Sequence, residues 1–454
     1  MRDARGGWTA RHWVAALVLV LVSAFMQFTN VRETDHGGVI HGDAGKYIFY
    51  AYNIKHHGTF SRVQSFAVPQ SPVVAPDKLT LPGYPWFIAR FLGEGDPDPA
   101  FLGRVERAQA VLGVVSTLLA FLIALRMLPL GWAFAAGALV ATEPHVVIIG
   151  AYMITEPVFM ALLLGATLAF LHAVSSTGRR WHTVACGLLV GLACLVRPQL
   201  QVVPWLLLLI ALAVPKWRPH LPRVALGVVV FLAVALPWQW RNAHVARPIG
   251  EPDLLVTSIY HGSFPHFMYQ DDPRTYGYPY RFDPDHDRYS TDMGATLAHV
   301  GAQFAAQPVR YLDWYLIGKP GAFLSWSMVA GAGDIFVYEV ARSPWLDRLS
   351  FAHVRALHWW LHWPLMLLAI ATTCVALWRP ALLAQSTDRR RAIVAVAALL
   401  AFAIVLHMFG LPLPRYNIPF LPLEIVLAMV GASAVVRRLR DRPGVPRELA
   451  PEPR

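Results

Sequence analysis

The sequence predicts an all-α membrane protein that crosses the bilayer about ten times and carries two long loops on one side. Three observations predict it. Charged residues make up 15% of the 454, hydrophobic ones 56%, and mean hydropathy is +0.44; a soluble chain carries about 25% charged residues. Apolar runs approaching the roughly 20 residues of a spanning helix recur along the chain. Lys and Arg gather at alternate junctions between those runs, as cytoplasmic loops require. The 16 Trp and 15 Tyr suit rings at membrane interfaces.

The runs fall near 13–28, 108–128, 130–142, 156–174, 181–196, 200–214, 224–240, 357–378, 392–409 and 418–436. The first also resembles a signal peptide, with a weak cleavage-like Val22-Ser23-Ala24, but the charge alternation needs it kept as an anchor. Arg2, Arg5 and Arg11 precede it. Arg126 follows the second run, Arg179 and Arg180 the fourth, and Lys216, Arg218 and Arg223 the sixth. Arg379 and Arg389 to Arg391 follow the eighth, and Arg437, Arg438, Arg440 and Arg442 the tenth. Every even-numbered exit is basic, so both termini are expected in the cytoplasm.

Segments 30–105 and 241–355 then lie outside, with short outer turns at 143–155, 197–199 and 410–417. Loops that long are usually functional. The expected organisation is a membrane module over 1–240, an outer domain over 241–355, C-terminal spans over 356–436 and a basic tail over 437–454, Pro- and Arg-rich from Asp441. The stretch 316–340 is apolar enough for a further pair of spans or a re-entrant piece, although Lys319, Pro320 and Asp334 argue against one simple span.

The +11 charge lies largely beside the spans, so topology explains it better than nucleic acid. Cys186, Cys194 and Cys374 lie in apolar runs and give no disulfide framework. P-loop, dinucleotide and nucleophile-elbow motifs are absent, which argues against an ATP-driven pump or a hydrolase of those types. No internal repeat supports an inverted-repeat transporter.

Chemistry is sought at the outer ends, because ionisable groups at membrane depth line cavities or pathways. Asp43 opens a helix-like stretch with Tyr47, Tyr50, Ala51 and Ile54 at helical spacing. It reads either as an N-cap or as a general base. Glu156, before Pro157, reads as an acid at a helix start or as a site carboxylate. Arg197-Pro198 and Pro414-Arg415-Tyr416 place guanidiniums at outer turns, suited to phosphate or to headgroups. Lys78 and Lys319 are outer cations with the same two readings. His36, His41, His56 and His57 lack closed zinc spacing. Asp283-Pro284-Asp285-His286-Asp287, with Asp292 beyond, starts like a calcium loop but has Arg288 and Gly294 where Gly and Glu are needed. Both are read as polar loop, and no metal site is expected.

A set of short motifs then resembles one group of enzymes. Asp43 is followed by Tyr47, Tyr50, Ala51 and Gly58-Thr59-Phe60, then by Leu81-Pro82-Gly83-Tyr84-Pro85. Glu143-Pro144 leads to Ala151-Tyr152-Met153-Ile154-Thr155-Glu156, and Leu195-Val196-Arg197-Pro198 follows. Leu236-Pro237-Trp238-Gln239-Trp240-Arg241-Asn242 and Arg415-Tyr416-Asn417-Ile418-Pro419 complete the set. In order and sidedness these resemble the GT-C membrane glycosyltransferases, especially the protein O-mannosyltransferase and lipid A aminoarabinose transferase branch.

The resemblance implies an inverting hexosyl- or pentosyltransferase of the bacterial inner membrane. It would move sugar from a polyprenyl phosphate to a hydroxyl on a glycan, lipid or protein, on the outer face; a divalent metal is neither implied nor ruled out, and no nucleic acid is expected. It implies Asp43 as base, Glu156 as second acid, and Arg197 and Arg415 as partners of the donor phosphate or the acceptor. Tyr416, Lys78, Lys319, Tyr47 and Tyr84 are further candidates for substrate contact, Lys78 standing near the family's phosphate-binding position without aligning to it. The chain departs from the branch where Ala44 follows Asp43 instead of Glu, and where Leu81 stands at a phosphate-binding Lys. A lipid-linked-sugar flippase and an oligosaccharide ligase or polymerase remain as alternatives.

Overall fold

The structure, a computed structural model, describes residues 8–38, 40, 42–66, 73–246 and 252–441. Arg2, Arg5, His41, Arg442 and the tail beyond Asp441 lie outside the described residues. Among the described residues the chain is helical, with two isolated β-bridges and no strand.

The first half contains α1 (Ala10–Glu33), α2 (Asp43–His57), α3 (Gly83–Ala89), α4 (Pro99–Leu125), α5 (Leu130–Thr142), α6 (Pro144–Ile148), α7 (Glu156–Ala173), α8 (Arg180–Val196), α9 (Val203–Ala213) and α10 (Leu221–Ala243). A series of short helices follows: α11 (Leu254–Gly262), α12 (His286–Thr291), α13 (Met293–Ala306), α14 (Pro308–Asp313), α15 (Lys319–Phe323) and α16 (Pro344–Asp347). The chain returns through α17 (Leu349–Trp378), α18 (Thr387–Phe409), the turn α19 (Pro414–Asn417) and α20 (Leu421–Arg440).

Among the described residues seven helices are long and apolar enough to cross a bilayer, and α5 with the segment Pro144–Ala151, bent by 51°, makes an eighth if the pair is one span. Arg180–Val196 and Pro198–Ala213 are apolar but shorter. Each of the ten expected runs lies on one of these helices, yet only seven or eight reach spanning length. The stretch 316–340 contains no spanning helix: α15 ends at Phe323 and the chain then runs irregularly to α16.

The first span shows how sequence sets packing. Trp13, Leu17, Leu21 and Phe25 recur every four residues and point outward, while Ala16, Leu19, Ser23, Gln27 and Asn30 are buried. That is one apolar stripe for lipid and one polar-dotted face for the bundle. α1 packs on α4 and α5, α4 on α7, α7 on α8, and α8 on α10. α20 fills the space between α5 and α17, and every residue from Leu421 to Ala428 is buried.

Residues 143–155, expected as an outer turn, form a buried hairpin of α6 and a 3-10 turn. Irregular backbone is tolerated in an apolar bundle only if its polar groups are satisfied. Here amide side chains of the spans satisfy them. Asn30 Nδ2 donates to Val147 O at 3.0 Å, and Gln109 Nε2 donates to Gly150 O at 3.0 Å and Tyr152 O at 2.8 Å. The hairpin thereby delivers Glu156 to the first turn of α7.

Candidate active site

Four residues far apart in sequence meet at one end of the bundle. Asp43 starts α2, Glu156 starts α7, Arg197 follows α8, and Arg415 lies in α19. Each sits at a helix boundary marked by a neighbouring Pro or Gly: Gly42, Pro157, Pro198 and Pro414.

Glu156 is the centre. Its side chain is 0% exposed, and both guanidiniums reach it. Arg415 Nε lies 2.5 Å from Oε1 and Arg415 donates again to Oε2 at 3.3 Å, while Arg197 lies 2.7 Å from Oε1. A buried carboxylate is tolerated when paired and hydrogen-bonded in this way. Arg197 also donates to Thr155 Oγ1 at 3.0 Å and stacks over Tyr416, 4.7 Å from its ring centre.

Asp43 forms the open side of the cluster, with 42% of its side chain exposed. Gly42 is the cap residue of α2 and no side chain caps that helix, so the N-cap reading of Asp43 does not hold. Its carboxylate instead lies 3.0 Å from Lys46 Nζ and 3.7 Å from Arg415. Burial raises the Asp43 pKa, but Lys46 and Arg415 outweigh it and hold the carboxyl below its ordinary value. The group is therefore ionised and ready to accept a hydrogen bond. With two carboxylates against Lys46, Arg197 and Arg415, the cluster carries one cation in excess.

Tyr47 and Tyr84 lie beneath, ring edge to face at 5.0 Å. Burial raises both hydroxyl pKa values, so both stay protonated. Tyr84 donates to Gln109 Oε1 at 2.8 Å, tying α3 to the hairpin. Gly83 is required here, because a Cβ would lie 2.8 Å from Leu195 O.

Two expected cations are placed elsewhere. Lys78 donates to Asn242 O at 3.1 Å. Lys319 is fully buried and donates to Met408 O and Gly410 O at 2.8 and 3.0 Å, satisfying carbonyls where α18 ends. The acids of 283–292 serve local structure: Asp283 accepts from Tyr260 at 2.6 Å, and Asp292 caps α13 through Gly294 N and Ala295 N. Among the described residues no group of three or more His, Cys, Asp and Glu is arranged to hold a metal ion.

One participant was not foreseen. Tyr338, from the irregular segment before α16, accepts from Arg415 Nη1 at 3.1 Å and from the Asp43 backbone N–H. No local motif marks it. Its place depends on a bridge that pairs Asp35 with Arg342 and on Tyr152, which donates to Tyr338 O at 2.9 Å.

Two clefts flank α2. One, the smaller, opens beside its first turn and is lined by His36, Ala44, Glu106, Tyr152 and Tyr338 among others. The second lies by its last turn between Phe60, Trp86, Trp238 and Arg241. Arg241 stacks 4.8 Å over Trp238 and 5.3 Å over Phe60.

With this geometry in place, comparison with known proteins is informative. Residues 82–240 match the family model described as dolichyl-phosphate-mannose-protein mannosyltransferase. That range includes Glu156 and Arg197 but not Asp43 or Arg415. No curated protein sequence matches the chain. Among solved structures, the archaeal oligosaccharyltransferase AglB of Archaeoglobus fulgidus, in complex with an inhibitory peptide and a dolichol-phosphate, aligns with 97% of this chain at 13% identity and a TM-score of 0.50. The alignment covers 52% of AglB, so this chain spans about half its length. ArnT of Cupriavidus metallidurans bound to undecaprenyl phosphate aligns at 16% identity over 95% of this chain and 79% of its own, with a TM-score of 0.39. The Pmt1-Pmt2 protein O-mannosyltransferase of S. cerevisiae aligns at 14% identity over 52% of this chain and 34% of its own, with a TM-score of 0.40. The chain is a multi-pass membrane protein with the GT-C glycosyltransferase fold.

Proposed function

We propose that the protein is an inverting glycosyltransferase that moves a sugar from a polyprenyl-phosphate donor to an acceptor hydroxyl on the extracytoplasmic face. The observation that carries this reading is the convergence of Asp43, Glu156, Arg197 and Arg415 from four separate chain positions. The matched family's description and the dolichol-phosphate in the AglB structure support the same donor class.

In this reading the acceptor hydroxyl donates to the Asp43 carboxylate as its oxygen attacks the anomeric carbon. The anomeric C–O bond breaks, and its electron pair leaves on the phosphate oxygen. Asp43 holds the acceptor's proton. The leaving group is already a stable anion, so it needs positive charge more than a proton. The cluster's excess cation supplies that charge, and Glu156 orients the two guanidiniums. The exposed aromatic cleft by Trp86 and Trp238 offers an apolar surface for the lipid chain.

The test is transfer by purified protein from a panel of polyprenyl-phosphate and polyprenyl-pyrophosphate sugars. Turnover from a monophosphate donor, abolished in a folded Asp43→Asn protein, is expected. Normal turnover by Asp43→Asn removes the base assignment. Turnover from pyrophosphate-linked oligosaccharides alone favours a ligase, and vectorial movement without a new glycosidic bond favours a flippase.

A further inference from the structure

The smaller cleft differs in character from the cationic cluster beside it. It begins at Ala44, one residue past Asp43, and ends at Tyr338, which touches Arg415. Its one lining carboxylate is Glu106, from the first turns of α4. Glu106 makes no hydrogen bond or ion pair with another described residue.

The walls around it are rings held in place. His36 and Tyr152 have centroids 5.1 Å apart, and Tyr152 meets Tyr338 edge to face at 5.8 Å. His36 Nε2 lies 2.7 Å from Ala151 O, and Tyr152 donates to Tyr338 O. Ile40, Leu102 and Met153 complete an apolar floor.

The Glu106 oxygens accept hydrogen bonds, so the side chain suits a ligand rich in hydroxyl donors. It offers a phosphate no positive charge, which leaves the anionic donor to the arginine side. Rigid aromatic faces pack against a flat, partly apolar ring. An extended peptide needs main-chain partners along the cleft, and the Ala151 and Tyr338 carbonyls already have partners.

We propose that this cleft is the acceptor subsite, that it takes an uncharged sugar ring at the end of a glycan, and that Glu106 determines specificity by accepting bonds from its hydroxyls. This rests on the glycosyl-transfer reading above.

The experiment has two arms, each on full-length protein in detergent. Saturation-transfer NMR measures binding of methyl glycosides of neutral hexoses, and of a Ser/Thr peptide, with no donor present. A methyl hexoside is expected to bind, and Glu106→Gln to weaken it about ten- to hundredfold, the value of a charge-assisted hydrogen bond. In the transfer assay the same substitution raises the acceptor KM by a similar factor and leaves the donor KM unchanged. An unaltered melting temperature shows that the isosteric variant is folded. Sugar binding untouched by Glu106→Gln, or binding of the peptide and of no sugar, overturns the proposal. If no donor is turned over by the wild type, the transfer reading fails, while the binding arm still judges the cleft.

Discussion

Asp43 and Glu156 are two carboxylates in one cluster with opposite settings. Glu156 is enclosed by two guanidiniums and has no exposed surface, which suits a fixed anion that orients cations. Asp43 is open and shares its charge with Lys46 and, at longer range, Arg415. A lowered pKa makes Asp43 a weak base in the resting protein. A phosphate that draws the cations toward itself would strengthen it, coupling donor arrival to base strength. The sign of the pH effect follows. A carboxylate lowered in this way stays ionised above its ordinary value of 3.8 and loses activity only as pH falls through the lowered value. In Lys46→Met the largest lowering influence is gone and burial is opposed by Arg415 and Arg197 without it, so the Asp43 pKa rises. The acid limb of kcat/KM against pH is expected to move to higher pH in Lys46→Met, and an unmoved limb shows that Asp43 is not the titrating group. At this scale the four anchor residues were legible from helix-boundary chemistry. The roles of Lys78 and Lys319 were not, because a cation's sequence position does not tell whether a substrate or a helix-end carbonyl meets it.

Three elements hold these residues in place: the buried hairpin 143–155, α2, and the irregular segment that carries Tyr338. The order of the spans predicts only a short outer turn at the hairpin. Its burial depends on amides in α1 and α4, partners more than 40 residues away in sequence. Tyr338 was illegible for the same reason, being placed by Tyr152 and by the bridge of Asp35 to Arg342. The close fit of Tyr338 over the start of α2 has a measurable consequence. Gly42 adopts φ +52°, a conformation that costs a non-glycine residue about 1–3 kcal/mol. A Cβ there would also lie 2.3 Å from the Tyr338 hydroxyl. Gly42→Ala therefore displaces the Tyr338 ring from Arg415 or shifts the start of α2 with Asp43. Transfer is expected to fall by at least tenfold, since a displacement of about 1 Å can cost a hundredfold, while the spans stay folded by circular dichroism. Activity within twofold of wild type would show that the Tyr338 contact is not needed to set the site.

For the whole molecule, the charge pattern and the site lie at opposite ends of one bundle. The described basic residues Arg126, Arg179, Arg180, Arg223, Arg379 and Arg437 flank the ends of α4, α7, α10, α17 and α20 that are remote from Glu156. By the positive-inside rule we propose that the Glu156 end, with α11 to α16, faces the extracytoplasmic side. The basic turns that support this proposal were legible in the sequence, because they need only the order of apolar runs and charges. The number of full spans was less so, since α8 and α9 are apolar but short and α5 continues through a 51° bend. Sidedness can be measured without knowing the substrate. In a background with Cys186, Cys194 and Cys374 replaced by Ala, a single cysteine is placed at Asp287, which is fully exposed in α12, or at exposed Thr177 between α7 and α8. A membrane-impermeant maleimide applied to intact cells is expected to label Asp287→Cys at once and Thr177→Cys only after permeabilisation. The reverse pattern would put the Asp43 cluster in the cytoplasm, where it would meet donors before their transport, and would exclude an extracytoplasmic acceptor.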